Sequence, residues 1–190
     1  NAAIIATGMI AKVHIIDKSE ERLKQLTKMF GDKIIPELSE KTDLNKLISE
    51  CDLLVGGVLI PGAEAPKLVT KQMIKSMKRG SVIVDVAIDQ GGCVETSKPT
   101  THADPTYMVD NVVHYCVANM PGGVPRTSTI ALNKATIPFT VNLANKGYEK
   151  ALKDDQNFMN GLNLYKGSVT YEAVAKHLGY EYISTNMIFN

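Results

Sequence analysis

Two carboxylates four residues apart, Asp85 and Asp89, follow an apolar run that starts at Val82, and Gln90-Gly91-Gly92 comes directly after them. The pattern reads as a buried strand that ends by releasing polar groups at its carboxyl end, the edge where open α/β sheets bind ligands. The chemistry available there is hydrogen bonding, stabilisation of positive charge and orientation of a polar reactant. Asp85 reads first as an acceptor for amides of the loop that Gly91 and Gly92 open. Asp89 stays balanced between that role and a place in a cleft beside a flat cofactor ring or a polar substrate.

Other segments end in the same way. Val13-His14-Ile15-Ile16-Asp17 finishes on an acid. At that position an acid can accept hydrogen bonds from dinucleotide ribose hydroxyls and repel a 2′-phosphate. It can equally serve the positive end of the following helix. Gly56-Gly57-Val58-Leu59 would let a ligand approach bare backbone. Asn119-Met120-Pro121-Gly122-Gly123 offers an amide and free backbone groups, or a plain turn. The histidines are less telling. His14 and His114 sit inside strands as packing residues, His102 lies in a solvated polar loop, and His177 ends a helix. Cys93 has no histidine or basic neighbour in its motif and reads as an inert thiol. Lys71, Lys75, Lys78 and Arg79 form a solvated face.

These groups need elements to position them. Val13 to Asp17, a short strand from Lys33 to Pro36, Leu53 to Leu59, Val82 to Asp85 and Val112 to Val117 read as strands. Helices are expected from Ser19 to about Phe30 (with Leu23, Leu26, Met29 and Phe30 on one stripe), from Asp43 to Glu50, and from Thr70 to Met77 with Gly80 as cap. Residues 90 to 110 read as a long polar loop. Strands alternating with helices predict an α/β fold: a Rossmann-type, doubly wound parallel sheet. After Arg126 the texture changes. A long helix kinked at Pro138 is expected from Thr127 to about Lys153, then a turn from Asp154 to Gly161 and a last helix from Thr170 to Leu178. The division is residues 1–126 as a nucleotide-binding domain and residues 127–190 as a helical segment of a second domain.

Bulk properties narrow the function classes. A net charge of +1 over 190 residues argues against nucleic acid or an anionic membrane as partner. No apolar run approaches the roughly 20 residues that span a bilayer. Three scattered cysteines lack metal-ligand spacing and suit a reduced, cytoplasmic setting. Asn1 opens the chain within helix-compatible sequence, so further polypeptide is expected before it.

Taken together the chain resembles the alanine dehydrogenase family over essentially its whole length. The resemblance rests on Val58-Leu59-Ile60-Pro61-Gly62-Ala63-Glu64-Ala65-Pro66-Lys67-Leu68-Val69, on Val84-Asp85-Val86-Ala87-Ile88-Asp89-Gln90-Gly91-Gly92-Cys93, on Pro99-Thr100-Thr101 and on Tyr115-Cys116-Val117-Ala118-Asn119-Met120-Pro121-Gly122. It implies NAD as cofactor and reversible oxidative deamination of L-alanine to pyruvate and ammonia. It further implies that Asp17 binds the adenosine ribose, with Arg22 and Ser39 around the adenosine, and that Val58 and Leu59 line the nucleotide. Val86, Ala87, Ile88 and Asp89 would meet the nicotinamide ribose, with Asp89 as the catalytic acid. Lys98 would contact the cofactor, and Val117, Ala118, Asn119 and Met120 would line the nicotinamide side. The family's glycine turn, its carboxylate-holding Arg and Lys and its catalytic His are not in these residues. The glycine turn is expected just before Asn1, and the Arg, Lys and His in an N-terminal segment completing the substrate domain, within a homo-oligomer that is often a hexamer in the family. Two readings compete: a transhydrogenase α-type NAD-binding domain, which typically has Glu where this chain has Asp89, and a non-catalytic NAD-binding or assembly module.

Overall fold

The computed structural model describes residues 1–189. The strongest apolar runs form a four-stranded sheet in the order β3-β4-β6-β5, from β3 (Leu53–Gly56), β4 (Val82–Asp85), β5 (Thr106–Val109) and β6 (Val112–Tyr115). β4 is central and pairs in parallel with β3, in register Leu53↔Val82, and with β6, in register Val82↔Val113. Helices α3 (Leu44–Glu50) and α4 (Lys71–Ser76) pack together. Their Ile48 and Ile74 join Ile83, Val94 and Val112 in the hydrophobic core. The fold is α/β with a mainly parallel sheet.

Local chemistry explains the helix starts. Ser19, Asp43 and Thr70 each turn a side-chain oxygen back to accept the N–H three residues on, at 3.2, 3.2 and 3.3 Å. These caps satisfy donors that the first turn would otherwise leave unpaired. They open α2 (Glu20–Phe30), α3 and α4.

Several expectations are corrected. β1 (Val13–Asp17) pairs in parallel with β2 (Ile34–Leu38), but as a separate two-stranded sheet. Among the described residues no strand bridges β1 to β3. Residues 90 to 110 are not one loop. Val94 bridges to Val69, Thr100 bridges to Val117, and β5 forms an antiparallel hairpin with β6. The Asp110-Asn111 turn of that hairpin has φ of 49° and 63°, the left-handed pair that matches the twist of antiparallel strands. Gly80 does not cap α4; Met77 does, and the Gly80 N–H donates to the Asn111 carbonyl at 2.9 Å. Met29 lies on the exposed side of α2. His14 is half-buried and bonds through Nδ1 to Glu37 on the neighbouring strand at 2.6 Å.

The C-terminal part is helical, as its texture suggested, but is divided differently. The long helix α5 (Pro125–Lys146) keeps its helical run through Pro138 and stops at Gly147, whose φ of 73° no β-carbon-bearing residue adopts readily. Then follow α6 (Tyr148–Lys153), the one-turn α7 (Gln156–Met159) where a plain turn was expected, the short hairpin β7 (Leu164–Tyr165) and β8 (Ser168–Val169), α8 (Glu172–Leu178) and α9 (Thr185–Phe189). The chain starts with α1 (Ala2–Gly8). α5 has no buried residue, and Ile130, Leu132, Ile137, Phe139 and Val141 along it are exposed.

Candidate functional site

The site is built from the exit of β4. Side chains alternate across a strand, so Asp85 takes the inward phase of Ile83, and both are 0% exposed. The carboxylate is enclosed by donors. Its Oδ1 accepts the Ala87 N–H at 3.1 Å and faces the Cys93 thiol at 3.5 Å. Its Oδ2 accepts the Val94 N–H at 3.1 Å and the Ser97 hydroxyl at 2.6 Å. Hydrogen bonds to an ionised acceptor are the strong ones, and together these tie strand, turn and following loop to one side chain. This is the structural role the sequence favoured for Asp85.

Through the Ala87 N–H, Asp85 caps a 3-10 turn, Val86–Gln90. Gly91 ends the turn in the left-handed conformation. A β-carbon on Gly92 would lie 2.7 Å from Asp85 Oδ2, so only glycine lets the loop pass that close. Gly56 obeys the same logic at the end of β3, where a β-carbon would fall 2.4 Å from Cys93 Sγ. Lys67 adds a clamp, donating from Nζ to the carbonyls of Gly91 and Gly92 (2.8 Å to the latter). Burial and the Asp85 charge push the Cys93 thiol up to about 11, which fits an inert packing group and not a nucleophile.

The turn presents Asp89 to solvent. A cleft of about 220 Å³ lies there, lined by Gly57, Val58, Leu59, Val86, Ala87, Asp89 and Gln90. Leu59 and Val86 are 65% and 50% exposed, apolar walls left open beside a carboxylate. Gln90 Oε1 is buried without a hydrogen-bond partner among the described residues. Asp89 Oδ1 accepts the Asn119 N–H at 3.4 Å, which links the β4 exit to the β6 exit.

The remaining predicted residues fall into three groups. Ala87, Ile88 and Val117 are buried, so their side chains belong to the core. Ala118 and Asn119 are exposed at the β6 exit, and Met120 begins the 3-10 turn Met120–Gly123. Lys98 is exposed on the neighbouring strap, with its Nζ 4.5 Å from the Tyr107 ring centre. Asp17 and Ser39 lie together at the carboxyl ends of β1 and β2, where Asp17 is in register with Leu38. Asp17 Oδ1 accepts the Ser19 N–H at 2.8 Å, and Arg22 stands in the first turn of α2 with its guanidinium on Gln25.

Of the histidines, His114 is the packing residue expected. It is 0% exposed, bonds to Thr96 at 2.7 Å and Val112 at 3.0 Å, and burial holds its pKa below the usual imidazole value. His102 is exposed but not idle, since its Nε2 lies 3.0 Å from the Asn119 carbonyl. Sequence reasoning missed this contact, the Lys67 clamp and the unpartnered Gln90 oxygen. The spacing of the chain carries no signal for the first two. The third was visible only as an amide beside Asp89. Among the described residues no cluster of His, Cys, Asp or Glu could hold a metal ion, and no helix is long and apolar enough to cross a membrane.

A family model described as "Alanine dehydrogenase/PNT, C-terminal domain" matches residues 1–172. The alanine dehydrogenase of Halomonas elongata is 57% identical over 183 residues, 96% of this chain and 49% of that protein. Alanine dehydrogenase 2 of Staphylococcus aureus is 55% identical over 185 residues, 97% of this chain and 50% of that protein. A solved L-alanine dehydrogenase matches with a TM-score of 0.81 and 47% identity, over 94% of this chain and 49% of that one. A transhydrogenase from Sinorhizobium meliloti shares the fold, with a TM-score of 0.68 at 23% identity, over 90% of this chain and 46% of that one. The chain spans about half the length of the curated relatives it matches.

Proposed function

This chain belongs to the alanine dehydrogenase/PNT C-terminal domain family, and from that premise we propose that it is the NAD-binding half of an alanine dehydrogenase. The reaction is the reversible oxidation of L-alanine to pyruvate and ammonia. The observation that carries this reading is the cleft at the β3 and β4 exits, where open apolar walls meet Asp89. Residues 1–126 form the nucleotide-binding part, and residues 127–190 join an N-terminal segment to complete a substrate domain. The working form is a cytoplasmic homo-oligomer.

The residues fit a dinucleotide. Leu59 and Val86 supply flat apolar contact, while the exposed backbone of Gly57 supplies polar contact. Val58, Leu59, Val86 and Asp89 hold the nicotinamide riboside, with the buried Ala87 and Ile88 supporting them from behind. Ala118, Asn119 and Met120 form the neighbouring wall over the buried Val117, and Lys98 approaches from the strap. Asp17, Arg22 and Ser39 surround the adenosine end. When bound, the nicotinamide supplies a hydride acceptor.

The chain's own residues do the rest. The Asp89 carboxylate accepts a hydrogen bond from the substrate amine or from the water that hydrolyses the imine. It also stabilises the positive charge that grows on nitrogen as the α-hydrogen leaves with its electron pair. Asp89 is held for this by the turn that Asp85 caps and by the Asn119 N–H. A preset acceptor of this kind lowers the barrier because it needs no reorganisation during reaction.

The test is Asp89→Asn in the full-length polypeptide. Turnover should fall by about 10²-fold or more, the scale of a positioned acid–base group, while NADH affinity measured by fluorescence falls far less. Equal losses in turnover and affinity would assign Asp89 to binding instead.

A further inference from the structure

We propose that His102 is a positioning residue for Asp89 and acts through the backbone of Asn119. The inference rests on the role given to Asp89 above and extends it to a residue outside the cleft. Asn119 occupies the left-handed region, with φ 59° and ψ 50°. Residues with side chains visit that region seldom, asparagine more than most. Its N–H points to Asp89 Oδ1 at 3.4 Å. Its carbonyl accepts the Gly122 N–H at 2.9 Å and lies 3.0 Å from His102 Nε2. A carbonyl only accepts, so His102 Nε2 carries the proton and donates. One residue is thus gripped at its carbonyl by the histidine and aims its N–H at the acid.

The histidine has a fixed seat. Two residues before it, Thr100 is sewn to the β6 exit on both sides, with the Thr100 N–H to the Cys116 carbonyl at 2.9 Å and the Ala118 N–H to the Thr100 carbonyl at 3.1 Å. The Thr101 hydroxyl accepts the Asp104 N–H at 3.3 Å and folds the loop back. The imidazole then rests on bare backbone. A β-carbon on Gly122 would come within 3.2 Å of Nε2, and one on Gly123 within 3.3 Å of Cε1. Two adjacent glycines therefore make room for the ring where it meets the turn carrying Asn119. Without the histidine donor, the left-handed residue keeps only the Gly122 bond on its carbonyl. The Asn119 N–H then loses its fixed aim at Asp89.

The experiment uses the full-length polypeptide with His102→Ala, His102→Asn, His102→Gln, and His102→Ala combined with Asp89→Asn. The glutamine amide nitrogen reaches about where Nε2 lies, and the asparagine amide does not. With alanine and NAD, His102→Ala and His102→Asn should lower kcat by about tenfold to a hundredfold, the scale of a misplaced catalytic group. NADH dissociation constants from fluorescence titration should stay within about twofold. His102→Gln should recover most of the turnover. In the Asp89→Asn background, His102→Ala should add no further loss. If the alanine variant fails to fold, the asparagine and glutamine pair carries the same comparison. Unchanged kcat in His102→Asn overturns the proposal, as does an undiminished effect of His102→Ala in the Asp89→Asn background, or a parallel loss of NADH affinity. An unsubstituted polypeptide that does not oxidise alanine with NAD removes the functional reading itself, a result separate from all of these.

Discussion

Replacing Asp85 with Asn tests whether one sealed carboxylate organises the β4 exit. Each carboxylate oxygen serves one backbone N–H, of Ala87 or Val94, and one rotatable donor, the Cys93 thiol or the Ser97 hydroxyl. In Asp85→Asn one oxygen becomes an NH2 group. The thiol or hydroxyl can turn away, but the backbone N–H on that side cannot. Whichever way the amide sits, one buried N–H is orphaned at a cost of about 1–3 kcal/mol, and the surviving bonds lose their charge assistance. Relief from burying a carboxylate returns part of this. The expected net loss is about 2–4 kcal/mol. For a chain of this size that corresponds to a fall in Tm of about 5–15 °C. A urea titration followed by circular dichroism should show a lower midpoint with an unchanged slope. A loss under about 1 kcal/mol would mean that the carboxylate does not carry the network, and the account of the turn would be wrong.

Three further outcomes are expected. Asp17→Ala in the full-length polypeptide should weaken NAD binding and relax discrimination against NADP; titration with both cofactors checks this, and an unchanged preference takes Asp17 out of the ribose site. For Cys93, the folded thiol is held at about 11 against an ordinary value of 9.0. Between those values the unfolded chain binds fewer protons than the folded one, so stability should fall as pH rises from 9.0 towards 11. Cys93→Ala should make this slope shallower, the burial-raised Cys51 thiol keeping the rest, and the same substitution should rescue Gly56→Ala, whose β-carbon would otherwise meet the sulfur. Denaturation midpoints measured across that range decide both points.

The sequence was most legible where a single physical rule operated alone. Val13–Asp17 and Val82–Asp85 were delimited by apolar runs that end on an acid, and Ser19, Asp43 and Thr70 marked helix starts through their capping oxygens. The role of Asp85 as an acceptor for loop amides was also readable, since it ends the strand just before Gly91 and Gly92 open the loop. What could not be read depended on partners distant along the chain. β5 looked like loop because Thr106–Val109 is short, and only pairing with Val112–Tyr115 makes it a strand. His102 looked solvated because nothing local reveals that Asn119 lies 3.0 Å away. The break between α5 and α6 turned on Gly147, whose φ of 73° no apolar periodicity announces.

The β5–β6 hairpin has a consequence for the order in which the molecule assembles. Its strands are joined by a two-residue turn, so they can meet on the microsecond timescale of isolated hairpins. Each parallel pairing of β4 must instead close roughly 30 residues of intervening chain, a slower search. The ribbon from Thr106 to Tyr115 can therefore serve as an early template on which β4 docks. Asp85 draws its donors from residues 87 to 97, close along the chain, whereas the Asn119 contact that reaches Asp89 from the β6 exit must wait for that docking, so the link between the two exits is a late acquisition of the folding chain.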